Sequence, residues 1–271
     1  IEDIRQNNLR RTGMLAGDTK DENIAIVYLS YTVHGNEAAG AESSMAVLYD
    51  LLKAGSPYAR WLENTVVIID PTLNPDGYNR YSQWSNSVSA GPNNPNPTTR
   101  EHNEPWPGGR SNHYYFDLNR DWAWQSQQES RDRIAFYLQW MPHVHADIHE
   151  MGSEAPYYFA PAAQPYHPTV TKWQADFQIQ IGKNNAAHFD KEGWRYFSKE
   201  RFDLFYPSYG DTYPTFAGAI GMTYEQGGGG SANRAVMLQN GGTLTLFDRI
   251  AHHQEASLST IEVSSLNAAA L

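Results

Sequence analysis

The chain has 271 residues, of which 40% are hydrophobic, and a formal net charge of −10. Its 8 Trp, 17 Tyr and 10 Phe can fill one sizeable core, so a single domain is expected. The acidic balance argues against a nucleic-acid partner, no apolar run is long enough to span a bilayer, and the lack of cysteine excludes disulfides and thiolate metal ligands.

Strand-like and helix-like segments alternate along the chain. Clusters of β-branched and aromatic residues predict strands at Ile24–Tyr31, Val66–Asp70, Val144–His149 and Ala219–Tyr224. Apolar spacing and stop signals predict helices at Glu37–Ala54, Gln127–Trp140, Thr169–Phe189 and Thr243–Val263. This alternation predicts a single α/β domain with a mostly parallel sheet and helices on both faces.

The segment Ser82–Gly109 differs from the rest of the chain in composition. It is rich in Asn, Pro, Gly and Ser and has almost no aliphatic residues. Loops of this length in compact domains are usually functional or disordered. Because the segment leads to Arg110 and then to Asn119-Arg120, it is predicted to form a wall of a site; a tolerated surface insertion is the alternative. Residues 1–267 are assigned to the domain, and Ala268–Leu271 is interpreted as a cloning scar.

Polar residues stand where predicted strands end. His34 and Glu37 follow the first strand, His149 ends the third, and Glu225 follows the fourth. An imidazole and a carboxylate three positions apart at such a turn can face one point, which suits Zn²⁺. Because ligands of open α/β sheets gather beyond the carboxyl ends of the strands, the sequence predicts one site that combines these groups.

The order of these motifs carries a family resemblance. His34-x-x-Glu37, Asn74-Pro-Asp-Gly77, Asn119-Arg120, His149 and Glu225 resemble, in order and rough spacing, the zinc carboxypeptidases of the carboxypeptidase A type. The resemblance covers nearly the whole chain. It implies a carboxypeptidase A-like fold, with a mixed, mostly parallel sheet of about eight strands between helices.

The resemblance implies a metal site and a general base. His34, Glu37 and His149 would bind one zinc ion per chain and leave a fourth position for water. Glu225 would take a proton from this water and return it to the leaving amine. Asp117 would be a carboxylate that orients the first histidine.

The resemblance also implies how a substrate would be bound. Asn119 and Arg120 match the pair that binds the terminal carboxylate, for which the planar guanidinium fork is well suited. Arg110 would stabilise the oxyanion, with Arg80 and Arg100 as competing candidates.

Three positions depart from the family pattern. Asn36 stands where the digestive carboxypeptidases have an arginine that helps to hold the substrate. The mobile tyrosine that closes over the substrate aligns with Tyr206 or Tyr209, of which Tyr206 is preferred. Gly210 aligns with a position that tunes the side-chain pocket, and a glycine supplies no acid to recruit a basic terminal residue.

Other polar residues are interpreted as structural. His145 and Asp147 share a strand face with His149 and are expected to support it rather than to bind metal. Glu150, on the opposite face, is expected to be structural or peripheral. His252-His253 is predicted to face solvent.

Two short segments are interpreted from their composition alone. Asn74-Pro-Asp-Gly77 is predicted to be a turn that shapes the rim of the site. Gly227–Gly230 is predicted to be a flexible connection, because no Lys-Ser/Thr pair follows it as in a phosphate-binding loop.

The predicted function is a zinc-dependent carboxypeptidase whose partner is a peptide with a free C-terminal carboxylate. A deacylase of N-acyl amino acids and a carboxypeptidase of cell-wall peptides are alternatives, because relatives of both kinds share the ligands. A non-catalytic binding module is a third reading, although such proteins generally lose a ligand or the glutamate base. The relatives imply a secreted or periplasmic location.

Overall fold

The apolar runs of the sequence form the centre of one sheet in the computed structural model, which describes all 271 residues. The strands are β1 Ala25–Tyr31, β2 Thr65–Asp70, β3 Val144–Gly152, β4 Tyr157–Tyr158, β5 Ala163–Tyr166, β6 Tyr196–Phe197, β7 Asp203–Leu204, β8 Ile220–Gly228, β9 Ala235–Met237 and β10 Thr243–Thr245. The helices are α1 Glu2–Arg11, α2 Ala39–Leu52, α3 Pro75–Val88, α4 Gln128–Trp140, α5 Lys172–Glu192, α6 Thr212–Phe216, α7 Gly229–Ala232 and α8 Leu246–Leu266.

The main sheet has six strands in the order β2-β1-β3-β8-β4-β6. β1 is parallel to β2 and β3, and β3 is parallel to β8, whereas β4 runs antiparallel to β8. The prediction of a mixed, mostly parallel sheet is confirmed. The main sheet is smaller than the expected eight strands, and the remaining four strands form two separate pairs, β5 with β7 and β9 with β10.

Both faces of the sheet are covered, as the near-continuous burial of β1 requires. Val27, Leu29 and Tyr31 face a core of 22 buried residues that includes side chains of α2, α5 and α8. Tyr28, on the other face, stacks on His145 and packs edge-on against a tyrosine of α4. The carboxyl ends of β1, β3 and β8 therefore lie together at one edge of a sheet that is fixed from both sides.

The two longest helices begin in the same way. α5 and α8 each have 21 residues, and each starts with a capping box, from Thr171 to Gln174 and from Thr245 to Asp248. No helix of the chain is long and apolar enough to cross a membrane. After α8, Ala268 is buried and Leu271 packs against the larger core. The assignment of these last residues to a cloning scar stays a prediction.

Several local predictions are wrong. Asn74-Pro-Asp-Gly77 begins helix α3, because the Asn74 side chain accepts a hydrogen bond from the Gly77 N–H and Pro75 occupies the first turn. The predicted loop therefore starts only after Val88. Helix α1 was not predicted from the sequence. Gly227–Gly230 ends β8 and begins α7, so it is not a free connection.

Candidate metal centre and active site

Three side chains meet at the carboxyl edge of the sheet. His34 and Glu37 lie between β1 and α2, and His149 lies near the end of β3. One potential ligand atom from each of the three lies within 4.8 Å of the others, and all three residues are buried. The structure thus brings together the predicted metal ligands.

The Nε2 atom of each imidazole already has a carboxylate as its hydrogen-bond partner. His34 Nε2 donates to Asp117 Oδ1 over 3.0 Å, and His149 Nε2 donates to Asp147 Oδ2 over 2.7 Å. The two Nδ1 atoms converge on Glu37, at 2.7 Å from Oε1 for His34 and 3.0 Å from Oε2 for His149. Two Nδ1 atoms and one carboxylate directed at one point fit a zinc ion, with each ring orientation fixed by a further carboxylate.

The electrostatics of this cluster also fit a bound cation. Burial disfavours ionisation of Glu37, but the imidazoles of His34 and His149 outweigh burial and lower the pKa of its carboxyl. Burial disfavours the charged form of both histidines, yet their carboxylate neighbours raise the pKa of each, that of His149 well above its ordinary value. These shifts favour positive charge beside Glu37, and a divalent cation at this point would take the place of the imidazole protons.

The turn that carries His34 and Glu37 has no room for larger side chains. A Cβ on Gly35 would lie 2.0 Å from the backbone nitrogen of Tyr78, at the start of α3. Glu37 Oε2 also accepts the backbone N–H of Glu150, over 2.9 Å. The segment that begins at Asn74 therefore shapes the metal site through backbone packing, and it supplies no ligand.

Glu225 lies beside the cluster on β8. It pairs in register with His149 on the neighbouring strand, and it is 9% exposed. Its Oε2 atom has no hydrogen-bond partner. Burial raises the pKa of the Glu225 carboxyl to about 8, and the Glu37 carboxylate acts in the same direction. A nearby divalent cation would favour the ionised form and lower this pKa.

A cavity of about 440 Å³ opens over these residues. Its polar lining comprises His34, Glu37, Arg110, Asn119, Arg120, Glu150, Arg201, Asp203, Asp211, Thr223 and Glu225, and its apolar lining comprises Met151, Phe202 and Tyr209. The predicted base and the predicted carboxylate-binding pair therefore open onto the same space as the metal cluster. None of residues 82–109 lines this cavity, so the prediction that this segment forms a wall of the site is wrong; Arg110, which follows it, does line the cavity.

Two of the three arginines of the cavity are held by neighbouring side chains, Arg110 by a carboxylate and Arg120 by an aromatic ring. Arg110 Nη2 lies 2.9 Å from Asp117 Oδ2, and its Nη1 lies 3.4 Å from His34 Nδ1. Arg120 stacks over the ring of Tyr209, with 4.6 Å between its guanidinium carbon and the ring centre. Both guanidinium groups are about half exposed, which leaves donors free for a ligand.

Asn119 connects the metal cluster to the far side of the cavity. Its amide nitrogen lies 3.2 Å from His149 Nε2, and its Oδ1 accepts the backbone N–H of Gly210 over 3.0 Å. The Asp117 side chain accepts the backbone N–H of Asn119 and so fixes the short 3-10 turn that presents Asn119 and Arg120.

The other candidates lie away from the cavity. Arg80 donates to the carbonyl oxygens of Gly108 and Ser111 and so braces a loop, and Arg100 does not line the cavity. Tyr206 is absent from the lining and accepts a hydrogen bond from the Trp124 indole over 2.9 Å. Tyr209, the alternative that aligns less well, is the tyrosine in the cavity.

Two predictions about nearby residues have clear outcomes. Asp147 does support His149, as their shared strand face predicts. The solvent-facing position predicted for His252-His253 is wrong, because α8 packs on the sheet: His253 is fully buried against Tyr157, and His252 contacts Gln226.

The sequence reading missed several residues of the lining. Thr223 could have been found, because it precedes Glu225 by two on the same strand face. Arg201 and Asp203 carried no signal, since they lie in a segment without a predicted strand or helix.

Comparison with known proteins agrees with this geometry. The family model described as zinc carboxypeptidase matches residues 6–139, which include His34, Glu37 and the Asn119-Arg120 pair. Over this stretch, just under half of the chain, the protein is similar to the zinc carboxypeptidase family. The probable carboxypeptidase 2 of Arthroderma benhamiae and the carboxypeptidase 2 of Trichophyton tonsurans are each 28% identical to it over 124 residues, 46% of this chain and 18% of each relative. The chain thus matches less than a fifth of the length of these two relatives.

Solved structures show the same fold. The metallo-carboxypeptidase of Burkholderia cenocepacia matches with a TM-score of 0.62 and 15% identity, over 90% of this chain and 57% of that one. The carboxypeptidase A of Helicoverpa armigera matches with a TM-score of 0.55 and 19% identity, over 93% and 63%. The predicted carboxypeptidase A-like fold is confirmed, and the His34–Glu37–His149 cluster fits a zinc site.

Proposed function

We propose that this domain is a zinc-dependent carboxypeptidase that hydrolyses the C-terminal peptide bond of a peptide. The observation that carries the proposal is the buried cluster of His34, Glu37 and His149 at one point, beside a cavity that also contains Glu225 and Arg120. Zinc, when bound, would supply Lewis-acid activation of water and of the scissile carbonyl.

Glu225 is the group that moves the proton. Its Oε2 atom has no donor from the protein, so it is free to accept a proton from the attacking water. The same carboxyl then delivers that proton to the nitrogen of the leaving amino acid. Because Glu225 is opposite His149 in the sheet, the proton acceptor is held at a fixed position beside the metal site.

Two arginines bind the negatively charged groups of the substrate. Arg120, supported by Asn119, binds the terminal carboxylate, and its stacking on Tyr209 limits the positions that the guanidinium can take. Arg110, anchored by Asp117, lies next to the metal ligands and donates to the developing oxyanion. Loss of one such donor typically reduces turnover by about 10²–10³.

Two tyrosines are candidates for the side chain that closes over the substrate. Tyr206 stays the prediction of the alignment, while Tyr209 has the position in the cavity. A secreted or periplasmic location is likewise proposed from the family resemblance alone.

The test combines metal content with turnover of blocked dipeptides that end in a free carboxylate or in an amide. We expect one zinc per chain and chelator-sensitive release of the terminal residue from free acids. Glu225→Gln should lower kcat by about 10²–10⁴ with the zinc content unchanged. Arg120→Ala should raise KM for free acids, whereas Arg100→Ala, an exposed arginine outside the cavity, should behave as wild type.

Each contrary result points to a different failure. Undiminished turnover by Glu225→Gln would refute the assigned base. Activity on N-acyl amino acids without activity on peptides would favour the deacylase, and activity only on cell-wall peptides would favour that substrate class. A wild-type chain that takes up no zinc would refute the ligand assignment.

A further inference from the structure

Asp147 is a fully buried carboxylate that makes no contact with solvent or with the cavity. Its Oδ2 accepts from His149 Nε2 over 2.7 Å, and its Oδ1 accepts from the hydroxyl of Ser30 on β1 over 2.8 Å. Both carboxylate oxygens therefore accept hydrogen bonds, one from the proposed metal ligand His149 and one from Ser30 on the neighbouring strand.

The hydrogen bonds continue one residue further into the sheet. Ser30 Oγ lies 3.0 Å from His145 Nε2. Because the Ser30 hydroxyl hydrogen is directed to Asp147, His145 must be the donor in this contact, with its proton on Nε2. The His145 Nδ1 atom has no partner, which agrees with this tautomer. A chain of donors thus runs from His145 through Ser30 to Asp147.

Gly210 leaves the space that this carboxylate occupies. A Cβ on Gly210 would lie 1.9 Å from Asp147 Oδ2 and 3.0 Å from the Trp122 indole nitrogen. The backbone cannot easily shift away, because the Gly210 N–H donates to Asn119 Oδ1 over 3.0 Å. Its φ does not lie in the left-handed region, so it is the space, and not the backbone conformation, that requires a glycine.

We propose that Asp147 is a positioning residue that directs the Nδ1 atom of His149 to the metal, and that Gly210 is required by Asp147 and not by the substrate side chain. Gly210, which its alignment would assign to the pocket for the substrate side chain, is then part of the support of the metal site. The inference rests on the zinc site of the proposed function but not on its peptidase activity.

The chemistry predicts the direction and the size of the effects. Without the Asp147 carboxylate, the His149 ring loses the acceptor that selects its tautomer and orientation, and partners of this kind typically contribute about 10–100-fold to metal affinity. A methyl group at position 210 must displace the same carboxylate, so it should weaken zinc binding for the same reason. Once Asp147 has been shortened, the methyl group has little left to displace.

The experiment is a double-mutant cycle on zinc affinity, measured by competition with a chromogenic chelator. Asp147→Ala and Gly210→Ala should each bind zinc about 10–100-fold more weakly than wild type. The double variant should bind no more weakly than Asp147→Ala. Gly91→Ala is the control, because a Cβ there meets nothing within 4 Å. Asp147→Asn, which keeps the shape of the side chain, is measured beside Asp147→Ala so that a folding defect does not decide the result.

The outcomes separate the two parts of the proposal. Wild-type zinc affinity in Asp147→Asn and Asp147→Ala would overturn the positioning role. Losses that multiply in the double variant would overturn the coupling between the two residues. If zinc-saturated Gly210→Ala changes the ratio of rates for basic and apolar terminal residues while zinc affinity stays normal, the glycine serves the substrate pocket after all. Zinc binding without peptide turnover would leave the inference standing and refute only the peptidase.

Discussion

Two buried carboxylates, Glu37 and Glu150, meet at one corner of the sheet and are neutralised in different ways. They are linked directly, because the backbone N–H of Glu150 donates to Glu37 Oε2. Glu150 has a permanent cation, with Arg249 Nη1 2.5 Å from its Oε2, and it also accepts the backbone N–H groups of Ala39 and Gly229. Glu37 has the two imidazoles, whose charge depends on exchangeable protons, and the more distant, half-exposed guanidinium of Arg110, whose Nη1 lies 3.8 Å from its Oε1.

The difference distinguishes a structural carboxylate from a metal ligand. Burial raises the pKa of Glu150 and Arg249 opposes this effect, so its charge is balanced by the chain itself. The balance at Glu37 depends instead on the protons of His34 and His149, which a bound divalent cation would replace. The residue type does not distinguish the two roles, because both residues are glutamates at the ends of buried segments. The groups that neutralise each carboxylate distinguish them.

The largest effect is expected when the permanent cation is removed. Arg249→Met leaves Glu150 buried without its partner, and loss of one member of a buried pair typically costs about 3–5 kcal/mol in the free energy of unfolding. Urea unfolding of the metal-free protein measures this cost. Zinc binding to the folded fraction should persist, since Glu37 keeps its own partners.

A matched exposed pair serves as the control for this variant. Lys172 and Asp176 form an ion pair on α5 with side chains 86% and 52% exposed, so Lys172→Met should leave the stability unchanged within error. Replacing Glu150 by Gln together with Arg249→Met should recover part of the loss. Equal stability of Arg249→Met and wild type would show that the ion pair between Arg249 and Glu150 does not stabilise the fold.

A smaller effect on the free energy of unfolding, which depends on zinc, is expected at Glu37. In the wild type, zinc at about 100 times its dissociation constant should add about 2.7 kcal/mol to the free energy of unfolding. Glu37→Gln should lose most of this gain, because an amide oxygen is a poorer zinc ligand than a carboxylate. Thermal unfolding with and without zinc measures the difference, with Glu42→Gln, an exposed change on α2, as control. A full zinc-induced shift in Glu37→Gln would remove this residue from the metal site.

The smallest effect is expected where carboxylates pair with a histidine near the surface. His188 on α5 contacts Glu255 and Glu262 on α8, at 2.6 and 2.9 Å. The hydrogen bond that His188 donates to Glu255 is the main cause of the raised pKa of His188, and the pKa of Glu262 is lowered because Asn184 and His188 outweigh burial. The stabilisation by His188 is complete below the ordinary histidine pKa of 6.5, and it is lost as the pH rises through the raised pKa. The stabilisation by Glu262 is present above the ordinary glutamate pKa of 4.5 and is lost as the pH falls through the lowered pKa.

His188→Gln should therefore destabilise the protein by less than about 1 kcal/mol near pH 5.5, and by less still near pH 9, where more of the imidazole is neutral. Urea unfolding at the two pH values checks this. His167→Gln, at a partly buried histidine that contacts Thr169, is the control. A loss that is the same at both pH values would show that the contact is one of packing and not of charge.

The sequence predicts the elements whose signals are local. β1, β3 and β8 are apolar runs that end in polar residues, so their positions and the ligands His34 and His149 follow from the pattern. The support of His149 by Asp147 follows from the alternation of side chains along a strand.

Other features depend on partners that are distant in sequence. The burial of His253 requires knowledge that α8 lies against the sheet, and the role of Glu150 requires Arg249, which is 99 residues away. The start of α3 was misread for a different reason. Asn, Pro and Gly favour both turns and helix starts, and only the bond from Asn74 to Gly77 distinguishes them.

The pairing of β3 with β8 determines how this active site can fail. His149 and Glu225 are opposite each other in a parallel pairing that runs from Val144 and Ile220 to Gly152 and Gly228. Main-chain hydrogen bonds between the strands thus set the distance between His149 and Glu225, the proposed base, and the intervening chain can change in length without altering that distance. A shift of one residue in either strand would instead turn the His149 or Glu225 side chain to the opposite face. Under the proposed mechanism, misregistered molecules would be wholly inactive, so a partly folded population should appear as fewer active molecules with normal turnover.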